Sequence, residues 1–367
     1  MKIEVVKNNK VLVHSSKFNF EIHPLWLRER VKTEDLVDKN NHQRLYDPSE
    51  LNIDIQIKTA KLVNNSKIIV EFNDGCIGEF YITKLIKEYS KEDIIPNRIA
   101  WESKNLEISI YEYNEKFNDS IEMSSMLIDF FKYGFAIIKK VPAKNNAVVK
   151  FAELIGAVRQ TNFGKLFNVI SEKKPYDLAY TPMRLSPHTD NPYRKPVPGI
   201  QLLHCIVNNA KGGMSGLIDG FKISQKLKEL DEEAYDKITS TKIRFKFTGS
   251  DIVLENWGEL IELDENKKFK QIRFSSRLDF VPALKPEELE IFYRGRKKIF
   301  ELLNDNKFEF CFRLEEGMLM IFDNHRLLHS RTAYDPSTGD RHLQGCYIEH
   351  DAVDGKLRYL DRKYNLI

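Results

Sequence analysis

Two histidines and one aspartate are the residues of this sequence that could best hold a metal ion. His188 and Asp190 are separated by one residue, and His329 follows the apolar segment 318–323 much further along the chain. Side chains two residues apart on a β-strand point to the same face, so His188 and Asp190 could bind one ion together. Two imidazoles and one carboxylate leave three coordination positions open, as in non-haem Fe(II) oxygenases. Taken alone, His188 and Asp190 could also be a polar pair in a surface loop.

Arg341, twelve residues after His329, is a candidate for anion binding. A guanidinium can bind a carboxylate through two parallel hydrogen bonds, whereas a lysine offers only a point charge. Arg341 could therefore hold the carboxylate of a cosubstrate. His325 and His329 also have the HxxxH spacing of a helical zinc site. However, no glutamate follows His325, and the preceding segment 318–323 is typical of a strand.

The elements that must position these residues are mainly short strands. Alternating patterns and β-branched runs predict strands at 134–139, 200–207, 242–248, 271–275, 318–323 and 343–349. Helical spacing of apolar residues predicts helices at 121–132, 146–156 and 286–303. Many strands with a few supporting helices predict a mainly β fold with a jelly-roll core.

The first hundred residues have a different texture and predict a separate domain. Strands are expected at 3–6, 11–14, 18–22, 53–58 and 67–72, followed by a short helix at 83–89. The polar segment 90–105 contains Pro96 and is typical of a linker. We therefore expect a small β-rich N-terminal domain at 1–95 and a catalytic domain at 96–367.

Composition and missing motifs exclude several classes of protein. The 367 residues have a net charge of +3 without a basic run, so nothing indicates a nucleic-acid partner. No apolar stretch is long enough to span a membrane, and the first residues lack a signal-peptide core. The four cysteines form no CxxC pair, which excludes a cysteine zinc cluster and favours a reducing cytoplasm. Dinucleotide, P-loop, zincin and α/β-hydrolase signatures are also missing.

Several ordered motifs resemble those of the γ-butyrobetaine dioxygenase family of TauD-like Fe(II)/2-oxoglutarate oxygenases, which includes related 2-trimethylaminoethylphosphonate dioxygenases. The motifs are Trp26-Leu27-Arg28, His188-Thr189-Asp190-Asn191-Pro192-Tyr193, Pro198-Gly199-Ile200-Gln201-Leu202-Leu203-His204-Cys205, Gly212-Gly213, Asp219-Gly220-Phe221, Phe322-Asp323-Asn324, Arg326-Leu327-Leu328-His329, and Arg341-His342-Leu343 with Gly345 and Tyr347. They extend over most of the chain. The resemblance implies a double-stranded β-helix catalytic domain and a homodimer.

The resemblance also implies a role for each part of the candidate centre. Fe(II) would be bound by His188, Asp190 and His329, and Arg341 would hold the distal carboxylate of the cosubstrate 2-oxoglutarate. Ser215 and Arg331 are further candidate contacts of 2-oxoglutarate, although Arg331 could equally be a surface cation. With O2 as the second cosubstrate, such an enzyme hydroxylates an unactivated C–H bond, and the protein supplies positioning and a dry pocket.

The substrates that the resemblance implies carry a trimethylammonium group. This cation has no N–H donor, so it is best recognised by a cage of aromatic rings. Tyr180 and Tyr347 stand at the family's cage-tyrosine positions, and Phe163 and Phe167 stand at further cage positions. Asn191 occupies a position that is aromatic in animal members of the family. We expect these residues to form a cation cage, although any single aromatic residue among them could instead belong to the core.

The opposite end of the substrate pocket departs from the family pattern. Asp177 aligns with an asparagine that contacts the substrate carboxylate, and Ser276 and Arg277 fall in a stretch that contains an asparagine in the family. The first candidate substrate is γ-butyrobetaine, which would give L-carnitine. Because a phosphonate accepts bidentate hydrogen bonds from arginine well, 2-trimethylaminoethylphosphonate is the alternative.

The N-terminal domain departs from the family as well. The places of the family's zinc ligands hold Val31, Thr33, Leu36 and Cys76, so we expect no structural zinc. Two other functions remain open for the whole chain. A non-catalytic jelly roll that binds betaines would not need a metal ion with open coordination positions. A zinc hydrolase would act without O2 or 2-oxoglutarate.

Overall fold

A computed structural model describes residues 2–6, 10–14, 19–64, 66–90, 93–171 and 181–366 of the chain. Contacts divide the chain into two compact units, Met1–Asp93 and Ile94–Ile367. Two candidate substrate contacts, Asp177 and Tyr180, lie outside the described residues. Among the described helices, none has both the length and the apolar surface that crossing a bilayer requires.

The N-terminal unit contains two antiparallel three-stranded sheets and two helices. Its elements are β1 (Lys2–Val6), β2 (Lys10–His14), β3 (Asn19–Ile22), α1 (Pro24–Arg28), β4 (Ile57–Val63), β5 (Lys67–Phe72), β6 (Ile77–Tyr81) and α2 (Ile82–Ser90). The first sheet has the strand order β1-β2-β3, and the second has the order β4-β5-β6.

The strand expected at 53–58 begins only at Ile57. The side chain of Asn52 accepts a hydrogen bond from the amide of Asp54, and the amide of Ile55 donates to the carbonyl of Asn52. Asparagine and aspartate favour such local turns, so the alternating pattern of this segment does not continue as a strand.

Three of the four positions that correspond to the family's zinc ligands lie in or beside the apolar core of the N-terminal unit. Val31 is buried in this core, and Leu36 and Cys76 pack against it. Burial raises the pKa of the Cys76 thiol, which keeps it protonated and makes it a poor metal ligand. These side chains contribute apolar packing, and the absence of zinc stays a prediction.

The larger unit carries the candidate site. Its strands are β7 (Ile110–Glu112), β8 (Phe135–Lys139), β9 (Phe167–Val169), β10 (Leu185–His188), β11 (Ile200–Asn208), β12 (Lys211–Gly212), β13 (Ser215–Asp219), β14 (Lys242–Thr248), β15 (Val253–Glu259), β16 (Ile261–Leu263), β17 (Phe269–Ile272), β18 (Asp279–Phe280), β19 (Glu309–Phe312), β20 (Leu319–Asp323), β21 (Leu327–Arg331), β22 (Tyr334–Asp335) and β23 (Arg341–Ile348). Its helices are α3 (Ile121–Tyr133), α4 (Ala147–Ala152), α5 (Gly220–Leu230), α6 (Glu232–Ser240), α7 (Pro286–Leu303) and α8 (His350–Tyr364).

Two sheets form the jelly roll. The four-stranded sheet has the order β10-β21-β13-β19, and the six-stranded sheet has the order β7-β8-β20-β11-β23-β9. All neighbouring pairs in these sheets are antiparallel except β7 and β8. The prediction of a mainly β fold with a jelly-roll core and helical supports is therefore confirmed.

Alternation along β11 divides the two faces of the six-stranded sheet. Ile200 and Leu202 pack in the cluster formed with α3, α4 and α8 on the outer face. Gln201 and Leu203 point to the other face, where they line a cavity inside the jelly roll. The helices thus cover one face of the sheet, and the other face is available for a site.

Candidate functional site

The two histidines of the candidate metal centre come from neighbouring strands of the four-stranded sheet. His188, the last residue of β10, lies directly opposite His329 of β21, and their ring centroids are 4.2 Å apart. Asp190 Oδ1 lies 3.5 Å from Nε2 of His188 and 3.7 Å from Nε2 of His329. One ligand atom from each of the three residues lies within 4.8 Å of the others, a spacing that suits a single metal ion.

Asp190 lies beyond the end of β10, although the sequence analysis expected it on the same strand as His188. The intervening Thr189 is bound to Phe274: its amide donates to the Phe274 carbonyl at 2.8 Å, and its hydroxyl accepts from the Phe274 amide at 3.0 Å. These two bonds replace the strand pairing that β10 lacks here. They direct the carboxylate of Asp190 back towards the histidines.

Asn324 fixes the backbone of Asp190 from the other side. Its side-chain oxygen accepts from the Asp190 amide at 2.7 Å, and its side-chain nitrogen donates to the carbonyls of Asp190 and Pro198 at 3.0 and 2.9 Å. Asn324 is completely buried, so these bonds are shielded from water. Asn324 belongs to the sequence motif Phe322-Asp323-Asn324, but this role could not be read from the motif.

The protonation states of the centre suit a divalent metal. Burial would raise the pKa of Asp190, but the nearby histidines outweigh it, so the pKa lies well below its usual range. Burial, followed by the charge of His188, lowers the pKa of His329 to about 3. Nδ1 of His188 lies 2.8 Å from the Ser186 carbonyl, which can only accept, so Nδ1 donates this bond and Nε2 is the ring nitrogen that faces Asp190. Two imidazoles and a carboxylate are the donors that Fe(II) takes in such sites.

The centre opens into the cavity inside the jelly roll, and most of the residues proposed from the sequence line it. They are His188, Asp190, Asn191, Phe163, Phe167, Ser215, Arg277, His329, Arg331, Arg341 and Tyr347. Ser276 does not line this cavity: it is exposed, and the buried Ser275 lines the cavity in its place. Of the two residues assigned to this stretch, Arg277 therefore lines the cavity and Ser276 does not.

Arg341 presents unpaired donors to the cavity. Its side chain is buried, and Nε and Nη1 have no hydrogen-bond partner within the described part of the chain. Burial, and then the charge of Arg331, lowers the pKa of Arg341 to about 10, so it remains a cation at neutral pH. Its guanidinium lies 5.4 Å from the ring centroid of Tyr334. A buried cation with unpaired donors is suited to bind an anion.

Arg331 lines the same end of the cavity but is anchored to the backbone. Its Nη2 donates to the carbonyls of Thr181 and Met183 at 2.6 and 2.7 Å. Its guanidinium lies 5.1 Å from the Tyr334 ring, on which Arg341 also packs. Arg331 therefore adds positive charge near Arg341 while it also holds the chain at 181–183. Its role as a contact of a cosubstrate stays a prediction.

Aromatic rings line another part of the cavity. The rings of Phe167 and Tyr347 lie 5.2 Å apart with a tilt of 31°. Phe163 packs edge-on against Phe247 and has the guanidinium of Arg194 5.6 Å from its centroid.

Tyr193 and Gln201 are among the residues of the cavity wall that were not predicted as site residues. Tyr193, which is buried, also lines the cavity. Gln201 lines the cavity with a buried Oε1 that has no partner within the described residues. The pairing of Gln201 with Phe322 and Tyr347 in the six-stranded sheet brings it beside the metal centre. A lone glutamine inside the apolar run Ile200–Cys205 was the available signal.

A jelly roll that brings two histidines and a carboxylate to one cavity defines the class of non-haem metal oxygenases. Residues 111–347 match the family model described as the taurine catabolism dioxygenase TauD, TfdA family. This match covers more than half of the chain, so the protein belongs to the TauD, TfdA family. The predicted resemblance to TauD-like dioxygenases is confirmed.

Two named relatives match nearly the whole chain, and the first carries the name of the family identified in the sequence. The chain is 29% identical over 349 residues to the γ-butyrobetaine dioxygenase of Pseudomonas sp. (strain AK-1), covering 93% of this chain and 90% of that protein. It is 25% identical over 354 residues to the mitochondrial trimethyllysine dioxygenase of Rattus norvegicus, covering 92% and 82%.

A solved structure agrees with the observed fold. The non-heme iron oxygenase OrfP, in complex with Fe and alpha-ketoglutaric acid, superposes with a TM-score of 0.50. The two chains are 12% identical, and the match covers 67% of this chain and 95% of OrfP. At this identity, the likeness concerns the fold alone.

Proposed function

We propose that this protein is an Fe(II)- and 2-oxoglutarate-dependent dioxygenase that hydroxylates a C–H bond of a small trimethylammonium compound, with γ-butyrobetaine as the first candidate. The observation that carries the proposal is the joint presence of His188, Asp190 and His329 with the unpaired guanidinium of Arg341 in one cavity. A metal centre with open positions and a buried anion receptor fit a cosubstrate that both chelates the metal and carries a second carboxylate.

In this function each side chain has a defined task. His188, Asp190 and His329 hold the iron, which supplies the activation of O2 when it is bound. Arg341, whose Nε and Nη1 have no partner within the described residues, binds the distal carboxylate of 2-oxoglutarate through its guanidinium. The cavity wall excludes water and orients the C–H bond that reacts.

The substrate class rests on the aromatic wall and on the relatives. Phe167 and Tyr347 offer adjacent ring faces within the cavity, and such faces attract a cation that lacks N–H donors. The named substrates of the two relatives, γ-butyrobetaine and trimethyllysine, share a trimethylammonium group. Asn191 adds no ring, so we expect fewer aromatic contacts than a fully aromatic cage would provide.

The alternative substrate is 2-trimethylaminoethylphosphonate. Arg277 lines the cavity, and its charge is felt by His329, whose pKa it helps to lower after burial and the charge of His188. An arginine near the reacting centre favours an anion that accepts two hydrogen bonds, and phosphonate does this well. Ser275, buried in the same wall, could donate a further bond.

Release of succinate tests the proposal. The purified protein is incubated with Fe(II), 2-oxoglutarate and O2, together with γ-butyrobetaine, trimethyllysine or the phosphonate in parallel. We expect substrate-dependent succinate from γ-butyrobetaine or the phosphonate, and His329→Ala should abolish it. The compound that is turned over faster shows whether the anionic group of the substrate is a carboxylate or a phosphonate. Turnover that persists without O2 and 2-oxoglutarate would indicate a hydrolase. Tight binding of betaines without turnover would indicate a binding protein.

The cell compartment and the oligomeric state complete the proposal. All four cysteines are unpaired, which suits a reducing cytoplasm. A homodimer is proposed by analogy with the γ-butyrobetaine dioxygenase family. Light scattering on the eluted protein would measure its mass, and a mass close to the 43.0 kDa of one chain would contradict the dimer.

A further inference from the structure

A chain of three hydrogen bonds ends on the candidate metal ligand Asp190. The hydroxyl of Tyr193 donates to Oδ1 of Asn191 at 2.6 Å, and Nδ2 of Asn191 donates to the hydroxyl of Tyr347 at 3.2 Å. The hydroxyl of Tyr347 then donates to Oδ2 of Asp190 at 2.7 Å. Tyr193 and Tyr347 are both buried, so the chain is shielded from water.

The direction of these bonds is fixed by what each group can donate. The ionised carboxylate of Asp190 can only accept, so Tyr347 must use its one hydroxyl hydrogen on Asp190. The lone pair of that hydroxyl accepts from Asn191, whose oxygen in turn accepts from Tyr193.

The two oxygens of the Asp190 carboxylate therefore have different surroundings. Oδ1 faces the Nε2 atoms of both histidines, and Oδ2 faces the hydroxyl of Tyr347. Asn191 holds Tyr347 from behind and has a φ of +52°, a conformation that asparagine adopts more readily than most residues with a side chain. The local backbone and the buried bonds thus favour one orientation of the carboxylate.

We infer that Tyr347 and Asn191 are positioning residues that keep Asp190 a one-oxygen ligand of the metal, through Oδ1. This inference rests on the proposed function, because it concerns the metal centre of that function. A carboxylate that bound through both oxygens would occupy one of the positions that the cosubstrate and O2 require. Because Oδ2 accepts a hydrogen bond from the hydroxyl of Tyr347, it is not available to bind the metal at that position.

Tyr347 makes two separate contributions to the site, one through its ring and one through its hydroxyl. Its ring packs on Phe167 in the aromatic wall, whereas its hydroxyl binds Asp190. Tyr347→Phe removes only the second contribution. Partners of metal ligands typically change metal affinity by about 10- to 100-fold when they are removed. A residue that served only as a ring of the cage would leave metal affinity unchanged.

Titration with Mn(II) alone, followed by electron paramagnetic resonance, tests the inference without any substrate. We expect Tyr347→Phe to change the Kd for Mn(II) by about 10-fold or more, and Asn191→Ala to change it in the same direction by less. Tyr193→Phe is the matched control. It removes the hydroxyl that lies farthest from Asp190 in this series of hydrogen bonds, so the Kd for Mn(II) should stay within about twofold of wild type. Circular dichroism of the metal-free variants checks that each is folded.

A second measurement reports on the open positions. With Co(II) bound, the visible spectrum reports coordination number, and addition of 2-oxoglutarate should change it strongly in the wild type and weakly in Tyr347→Phe. Wild-type affinity and a wild-type spectral response in folded Tyr347→Phe would overturn the inference while leaving the proposed function intact. Failure of the wild type itself to bind Mn(II) or Co(II) would overturn the proposed function.

Discussion

His188 and His329 face each other across the pairing of β10 and β21, with their ring centroids 4.2 Å apart. Two residues far apart in sequence are thereby brought together by the register of an antiparallel sheet. Backbone hydrogen bonds hold this register, and Asp190 is fixed separately by Thr189 and Asn324. Hydrogen bonds within the chain therefore position all three residues of the candidate centre.

The first prediction follows from this organisation. The metal-free protein should be folded, and Mn(II) at 100 times its Kd should raise the free energy of unfolding by about 2.7 kcal/mol. Asp190→Ala should abolish this increase because the centre loses its carboxylate. Thermal unfolding with and without Mn(II) measures the effect. An equal increase in Asp190→Ala would mean that the metal binds elsewhere.

The second prediction concerns the aromatic wall. Phe167→Leu should raise the KM for the trimethylammonium substrate by about 2- to 30-fold, the equivalent of a cation–π contribution of ~0.5–2 kcal/mol. The KM for 2-oxoglutarate should not change. The control is the uncharged tert-butyl analogue of the same substrate, as a competitive inhibitor: its inhibition constant should change much less. Equal losses for cation and analogue would indicate that Phe167 contributes packing alone.

Gly345 offers an independent test of the position of Phe167. A Cβ added at Gly345 would lie 2.3 Å from Cζ of Phe167, so Gly345→Ala must displace this ring. We expect the same selective increase in KM for the trimethylammonium substrate as in Phe167→Leu. The double variant should then be no worse than the more impaired single variant, because both act on one ring.

The third prediction concerns the anion receptor. Arg341→Lys should raise the KM for 2-oxoglutarate by about tenfold or more, because a lysine cannot supply two parallel donors to one carboxylate. The KM for the trimethylammonium substrate should change little. Initial rates of succinate formation at varied 2-oxoglutarate measure both. A wild-type KM in Arg341→Lys would remove Arg341 from this role.

The sequence was sufficient to predict the jelly roll and the two histidines because short stretches of sequence indicate both. Strand-forming runs such as 318–323 stand out by composition, and the helix α7 at Pro286–Leu303 matched its predicted bounds. The helices α5, α6 and α8 were missed. Their buried residues, such as Val353, Leu357 and Leu360 of α8, are spaced among many charged residues that obscure the apolar stripe.

The surroundings of the ligands were less accessible to sequence reasoning. Asn324 and Thr189 act through hydrogen bonds to residues distant in sequence, so no local pattern marks them. Ser275 and Ser276 differ by a single residue, and only the folded chain decides which one faces the cavity. The hydroxyl of Tyr347 likewise has a partner that the assignment of a cage ring could not suggest.

The fourth prediction concerns acid stability. Burial would raise the pKa of Glu262, but bonds from Lys270, Arg273 and Gln271 outweigh it and lower the pKa to about 2. A carboxylate with a lowered pKa in the folded state stabilises the protein above its unfolded pKa and loses this effect as the pH falls. Because solvent partly screens this half-buried carboxylate, we expect Glu262 to contribute only on the order of 1–2 kcal/mol at neutral pH, lost between about pH 4.5 and pH 2.

Chemical denaturation of Glu262→Gln across this pH range provides the measurement. The variant should be less stable than wild type at pH 7, and the two curves should converge near pH 2. Arg273→Met should also weaken the wild-type pH dependence, because it removes a cation that lies 2.5 Å from the Glu262 carboxylate. A constant difference between wild type and Glu262→Gln at every pH would contradict the assignment.

The fifth prediction concerns the buried ion pair of Asp219 and Arg326. Nε and Nη2 of Arg326 donate to the two oxygens of Asp219, each at 2.9 Å, and both side chains are almost fully buried. The carboxylate of Asp219 also accepts hydrogen bonds from the backbone amides of Trp101 and Phe221. Because Arg326 stands just before β21, this pair holds the start of the strand that carries His329. Asp219 and Arg326 belong to two of the motifs identified in the sequence. This ion pair therefore supports the metal centre without contacting its candidate ligands.

Removing one partner of such a pair leaves a buried charge without compensation, which typically costs about 3–5 kcal/mol. We expect Asp219→Asn to lower the free energy of unfolding by this amount, as measured by urea denaturation. The double variant Asp219→Asn/Arg326→Met should be more stable than Asp219→Asn alone, because it buries no unpaired cation. Equal losses in the single and double variants would mean that packing, and not charge compensation, makes this pair important for the strand that presents His329.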